Sequence, residues 1–110
     1  MVMSEGDDRI WEAAGRRIKI ARRRLGMSQE ELCSKLYEAG LVGQASINVR
    51  TLRRYENEAA LRWKKIRIFA KYFNVSVEFL IDLELPDETI AAGMAAARMK
   101  LEGCGFVGPD

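Results

Sequence analysis

Residues 26–33 read Gly26-Met27-Ser28-Gln29-Glu30-Glu31-Leu32-Cys33, and this stretch decides how the rest of the chain is parsed. Ser28 and Glu31 have the S-x-x-E spacing of a capping box, in which hydroxyl and carboxylate each take up a backbone N–H at the start of a helix. Met27 and Leu32 hold the N′ and N4 positions of a hydrophobic staple around that cap. Gly26 is placed for the left-handed residue that closes a preceding helix. A helix is therefore expected to end at residue 25 and another to begin at residue 29, with a tight corner between them.

Working outward, the pattern is helical throughout, with no sustained period-two alternation and only two prolines, Pro86 and Pro109. The first helix is expected to start after Asp7 or Asp8 as N-cap, with an apolar stripe of Ile10, Trp11, Ala14, Ile18, Ala21 and Leu25 and bases on its remaining faces. The second turns Leu32, Cys33, Leu36 and Tyr37 inward and stops at Gly40; residues 41–47 read as a loop. Asn48 is the N-cap of a short third helix with a thin apolar edge, Leu52 and Tyr55, and three arginines on its broad polar face. A fourth, from about Leu61 to Phe73, is apolar on two sides and ends at Asn74. Ser76 caps a fifth that points Val77, Leu80, Ile81 and Leu83 inward, and Pro86 and Asp87 open a last helix to about Leu101 with the stripe Ile90, Met94, Ala97, Leu101.

Composition limits the chemistry. The 110 residues contain no histidine, which removes Ser-His-Asp and Cys-His catalysis and His-ligated metals. Two cysteines, Cys33 and Cys104, cannot build a four-cysteine zinc site, and they read as free thiols in a reducing compartment. Lone carboxylates such as Asp82, Glu84 and Asp87 show no pairing or nucleophile logic, so neither catalytic nor metal-binding residues are expected, and no cofactor. No apolar run approaches the roughly 20 residues of a membrane span, and Met1 to Asp8 lack the basic start of a secretory signal. The expected location is cytoplasmic.

The net charge of +2 hides its distribution. Residues 9–24 carry seven bases against Glu12, and residues 49–73 carry eight against two acids, while residues 74–110 carry seven acids against two bases. Two basic blocks can act as one field if the fold brings them together.

Three segments together resemble the lambda-repressor-like (Xre/Cro-type) helix-turn-helix transcriptional regulators, over roughly residues 14–84. Residues 26–33 match the family's G-x-S-Q-E-E-L-A. Ile47-Asn48-Val49-Arg50-Thr51-Leu52-Arg53-Arg54-Tyr55-Glu56-Asn57 is similar to V-S-x-x-T-I-S-R-x-E-x. Phe69-Ala70-Lys71-Tyr72-Phe73-Asn74-Val75-Ser76-Val77-Glu78-Phe79-Leu80 is similar to the closing L-A-x-x-L-x-V-S-x-x-x-L. The departures are about nine extra residues before Asn48, Cys33 for the usual Ala, Glu58 for the usual Gly, and a missing Pro after it.

The resemblance implies an all-α, five-helix domain over residues 9–84, with an extended turn between the second and third helices. A flexible acidic stretch (1–8) precedes it; a C-terminal helix (85–102), which either packs on its own domain or forms a dimer contact, and a flexible tail (103–110) follow. It implies a non-catalytic, sequence-specific binder of double-stranded DNA, acting as a homodimeric repressor on a palindrome, with the third helix in the major groove. By position, Asn48, Val49, Arg50 and Arg54 read base edges, and Thr51 and Arg53 flank the groove. Gln29 and Asn57 bond phosphate, and Arg62, with Lys64 and Lys65, touches the backbone. Arg22 and Glu56 match a structural ion pair. An arginine fork can bond guanine O6 and N7 together, and a valine can meet a thymine methyl. A competing expectation is an antitoxin or other interaction module that holds a basic protein partner through the acidic C-terminal third.

Overall fold

Among the described residues six α-helices follow one another: α1 (Met3–Arg24), α2 (Gln29–Glu38), α3 (Val49–Asn57), α4 (Trp63–Phe73), α5 (Val77–Leu80) and α6 (Asp87–Val107). This computed structural model describes the backbone of residues 3–42 and 47–107 and the side chains of residues 8–42 and 47–102, and there is no strand among the described residues. The fold is all-α. Its Cα radius of gyration is 13.9 Å, close to the about 13 Å expected for a globule of this length.

The corners form as the local signals dictate. Gly26 takes φ +72°; Gly26 N–H bonds Arg23 O at 2.9 Å and Met27 N–H bonds Arg22 O at 3.1 Å, the two bonds of a Schellman closure. Gly40 and Asn74 repeat it at the ends of α2 and α4, with φ +74° and +60°. The capping box is complete: Ser28 Oγ accepts from Glu31 N–H at 3.1 Å and Glu31 Oε1 from Ser28 N–H at 2.8 Å. Ser76 caps α5 through Phe79 N–H.

The central helix is α1, which packs against α3 on one side and α6 on the other. That position explains why so many of its residues are covered, including Trp11, Ala13, Ala14, Ile18 and Ala21. Where α1 meets α3 the backbones nearly touch. A Cβ placed on Gly15 would lie 2.1 Å from the Tyr55 carbonyl oxygen, so only glycine fits there. Trp11 and Trp63 pack edge to face with ring centroids 4.9 Å apart.

Several expectations are corrected. Helix α1 begins at Met3 rather than after Asp7 or Asp8; acids in the first turns of a helix are favoured by its dipole, so they extend it as readily as they cap it. Tyr37 and Leu83 point outward, at 64% and 42% exposure. Leu83 lies beyond the last residue of α5, so helical spacing no longer sets its direction. The buried face of α6 is Ile90, Ala91, Met94 and Ala95, and Leu101 is exposed. The helix continues to Val107, past Gly103 and Gly105. Of the two roles weighed for this helix, packing on its own domain is the one seen: α6 lies on α1, and the Phe79 ring sits where Gly93 has no side chain.

Nor are the bases of α1 all solvated. Arg17 is buried; its Nη1 and Nη2 donate to Leu80 O and Leu85 O at 2.7 and 2.9 Å, and its Nε to Asp87 Oδ1 at 2.8 Å. Arg16 donates to the other Asp87 oxygen at 2.6 Å. Burial alone would raise the Asp87 pKa, but the hydrogen bonds and charges of Arg16 and Arg17 outweigh it and hold the carboxyl below its ordinary value. A depressed folded-state pKa means stabilisation that is complete at neutral pH, above the unfolded-state value, and lost as the pH falls through the folded one. Asp87→Asn is therefore expected to cost roughly 1.5–3 kcal/mol at pH 7. Melting temperatures of variant and wild type should converge as the pH is lowered; a gap that stays constant down to acid contradicts the assignment.

Candidate nucleic-acid interface

Helix α3 is two-sided. Leu52, Tyr55 and Glu56 are buried, and Arg50, Arg53, Arg54 and Asn57 are exposed, each set at the i, i+3, i+4 spacing of one helix face. Val49 and Thr51 are half-buried at its start. Asn48 caps the helix by accepting from Thr51 N–H at 2.8 Å. That bond engages its carbonyl oxygen and leaves its amide hydrogens on an exposed side chain.

The buried side is fixed by charge as well as packing. Arg22 Nε and Nη2 donate to Glu56 Oε2 and Oε1 at 2.9 and 3.0 Å, and Arg22 Nη1 donates to Met27 O at 2.9 Å. The Glu56 side chain is fully covered. Its Oε1 also accepts from Gln29 Nε2 at 3.1 Å. Three helices meet at this carboxylate, α1 through Arg22, α2 through Gln29 and α3 through Glu56 itself, and the corner after α1 joins them through the Met27 carbonyl on Arg22. The α2–corner–α3 unit is thus set rigidly on α1 even though the connection between α2 and α3 is long.

The outward arginines differ in freedom. Arg54 lies 3.4 Å from Glu58, one turn on, with both side chains largely exposed, a pairing of little energetic weight. Among the described residues Arg50, Arg53, Lys64 and Lys65 make no ion pair. Beside the end of α3, a groove is lined by Glu12, Arg16 and Lys19 of α1 and by Glu56, Asn57 and Glu58, bases and acids together. Lys19 Nζ is 3.4 Å from Asn57 Oδ1.

Three expected contact residues have internal partners. The Gln29 amide braces Glu56. The Asn57 oxygen accepts from Lys19. One Arg62 nitrogen donates to Ala59 O and Leu61 O at 2.8 and 2.6 Å, and its guanidinium lies 5.8 Å from the Trp11 ring centroid. Arg62 thereby holds the α3–α4 link, where Ala59 adopts φ +53°, a left-handed conformation costing roughly 1–2 kcal/mol for a residue with a Cβ. Glu58, which closes α3, keeps φ −124°, and the left-handed strain falls one residue later, at Ala59.

Sequence reading misses the roles of Gly15 and Arg17, because nothing local marks them, and it places Arg16 only among the bases on the remaining faces of the first helix, although Asp87 pairs with it. Cys33 is half-buried; burial first, then the Glu56 carboxylate, push its thiol pKa up, so it is not an activated thiolate. Residues 43–46, within the loop read over residues 41–47, lie outside the described residues, as does the side chain of Cys104. No helix among the described residues is long and apolar enough to cross a membrane.

Comparison with protein families, with curated proteins and with solved structures finds no match for the chain.

Proposed function

We propose that the chain binds double-stranded DNA sequence-specifically as a dimeric transcriptional regulator of the lambda-repressor-like kind, a repressor by that resemblance, with α3 in the major groove. The single observation that carries this reading is α3 itself: a helix locked from beneath by Leu52, Tyr55 and the Glu56–Arg22 pair, with Arg50, Arg53 and Arg54 outward. A short helix with three arginines on its open face has the shape and charge to enter a groove and reach base edges. Its rigid seat keeps those side chains in register with one another.

In this reading Arg50 and Arg54 bond guanines, Val49 meets a thymine methyl, and Thr51, with the free amide of Asn48, contributes at the start of the helix. Arg53, Lys64, Lys65 and Lys19 neutralise phosphates. Gln29, Asn57 and Arg62 act mainly by holding α3 and the α3–α4 link, a change from the direct phosphate contacts that position alone implies. One α3 reads only a few base pairs, so a two-fold dimer is needed for a usable operator, with half-sites about 34–36 Å apart.

Fluorescence anisotropy with a bound duplex tests the roles. Arg50→Ala should cost about 1–3 kcal/mol and relax the preference at one base pair. Arg53→Ala should weaken binding to all sequences alike and flatten the salt dependence by about one counterion. Unchanged affinity in Arg50→Ala, with the fold intact, contradicts base reading by this helix.

The protein-interaction reading is weakened by the acidic third being partly engaged within the molecule, Asp87 on Arg16 and Arg17 and Glu102 on Arg98.

A further inference from the structure

Two surface features outside the α3 face are complementary to each other. One is an apolar groove between the end of α2 and the α4–α5 corner, walled by Leu41, Ile68, Val75 and Val77. Arg67 and Lys71, one helical turn apart, stand on its rim, and no acidic residue is among those lining it. The other is the turn that follows α5, Asp82-Leu83-Glu84-Leu85, whose two leucines are 42% and 38% exposed. Its backbone is held outward-facing by specific bonds. Asp82 Oδ1 accepts from Glu84 N–H at 2.9 Å, and the buried Arg17 grips the carbonyls of Leu80 and Leu85 on either side. An apolar pair flanked by acids is fixed on the surface, at a cost in exposed leucine that the monomer does not recover.

We propose that this turn seats in the groove of a second copy of the chain, Leu83 and Leu85 against Ile68, Val75 and Val77, with Asp82 and Glu84 facing Arg67 and Lys71. The occupant follows from complementarity of both kinds on one chain: the groove is apolar with a basic rim, and the turn is apolar with acidic neighbours. Groove and turn adjoin opposite ends of the four-residue α5. In the proposed pair the two copies are related by a two-fold axis, each giving and receiving one turn. The pairing moves the dimer contact away from α6, whose Ile90, Ala91, Met94 and Ala95 are already buried within the molecule. It rests on the proposed dimeric regulator only for its purpose; the contact itself involves no residue of the α3 face and is tested without DNA.

Sedimentation of the full chain and its charge variants decides. The wild type should dimerise reversibly. R67E/K71E should self-associate at least tenfold more weakly, since acid then faces acid, and Glu84→Lys should do the same, since base then faces base. Mixing the two variants in equal amounts should restore association, because each supplies the partner the other lacks. Recovery on mixing also shows that both are folded. Leu83→Ser, an exposed position, gives a second route to the same loss without changing charge. The proposal is overturned by a wild type that stays monomeric, by a folded variant that dimerises as well as wild type, or by a mixture that does not recover. A dimer indifferent to all these changes would place the contact elsewhere while leaving the DNA-binding role intact.

Discussion

Replacing Glu56 with alanine is expected to cost about 3–5 kcal/mol of folding stability. The residue is a surface-type amino acid at the heart of the molecule. Its carboxylate is covered, and it accepts two bonds from Arg22 and one from Gln29. Removing it leaves a guanidinium with 7% of its side chain exposed, one remaining carbonyl partner at Met27, and an amide on Gln29 without its acceptor. Domains of this size have about 5–15 kcal/mol in total, so the loss takes a large part of the margin. The intact pair is a different matter, because burying two charges offsets most of their attraction. A double variant, Arg22→Met with Glu56→Leu, should therefore be more stable than Glu56→Ala alone. Urea denaturation of the three proteins measures this directly. An unchanged midpoint in Glu56→Ala, or a double variant worse than the single one, contradicts the account.

Gly15→Ala is expected to lose roughly 3 kcal/mol or more, from the addition of one methyl group. The added carbon would sit 2.1 Å from the Tyr55 carbonyl oxygen, with the Tyr55 carbonyl carbon and Glu56 Cα close behind. These are backbone atoms of α3 and cannot rotate aside. Relief requires moving α3 away from α1, which pulls Glu56 from Arg22 and loosens Leu52 and Tyr55. Helix propensity works the other way, since alanine is preferred over glycine in a helix interior by about 1 kcal/mol. The sign of the result therefore separates packing from propensity. A fall of more than about 10 °C in melting temperature is expected on the usual scale of 4–8 °C per kcal/mol. A small rise would mean that α1 and α3 are not in this contact. DNA affinity should fall along with stability, because the same movement tilts the arginine face.

The parts legible in the sequence are those that local chemistry decides. The Ser28–Glu31 box, Asn48 and Ser76 caps, and the left-handed residues Gly26 and Asn74 are read from neighbours three or four residues away, and each is found where expected. The outward set on α3 was legible for the same reason, because one apolar edge at helical spacing leaves the other face polar. Partners far apart in the chain were not. Arg17 looks like one base among seven until carbonyls 63 and 68 residues on close around it. Gly15 looks like any small helical residue until a second backbone crosses it. Leu83 lies beyond the end of α5, where helical phase no longer holds. The Arg22–Glu56 pair is legible only through resemblance, and Gln29 joining it is not legible at all, because its acceptor lies 27 residues away.

Sequence reading by the arginines of α3 is the step on which the proposed function depends. Selection of bound duplexes from a random-sequence pool, run in parallel with wild type and Arg50→Ala, tests it most directly. The predicted result is an enriched palindrome with at least one guanine in each half-site and half-sites one helical turn apart, with the preference at one guanine lost in the variant. A pool that emerges from wild-type selection without any shared motif, or an identical motif from both proteins, would contradict it.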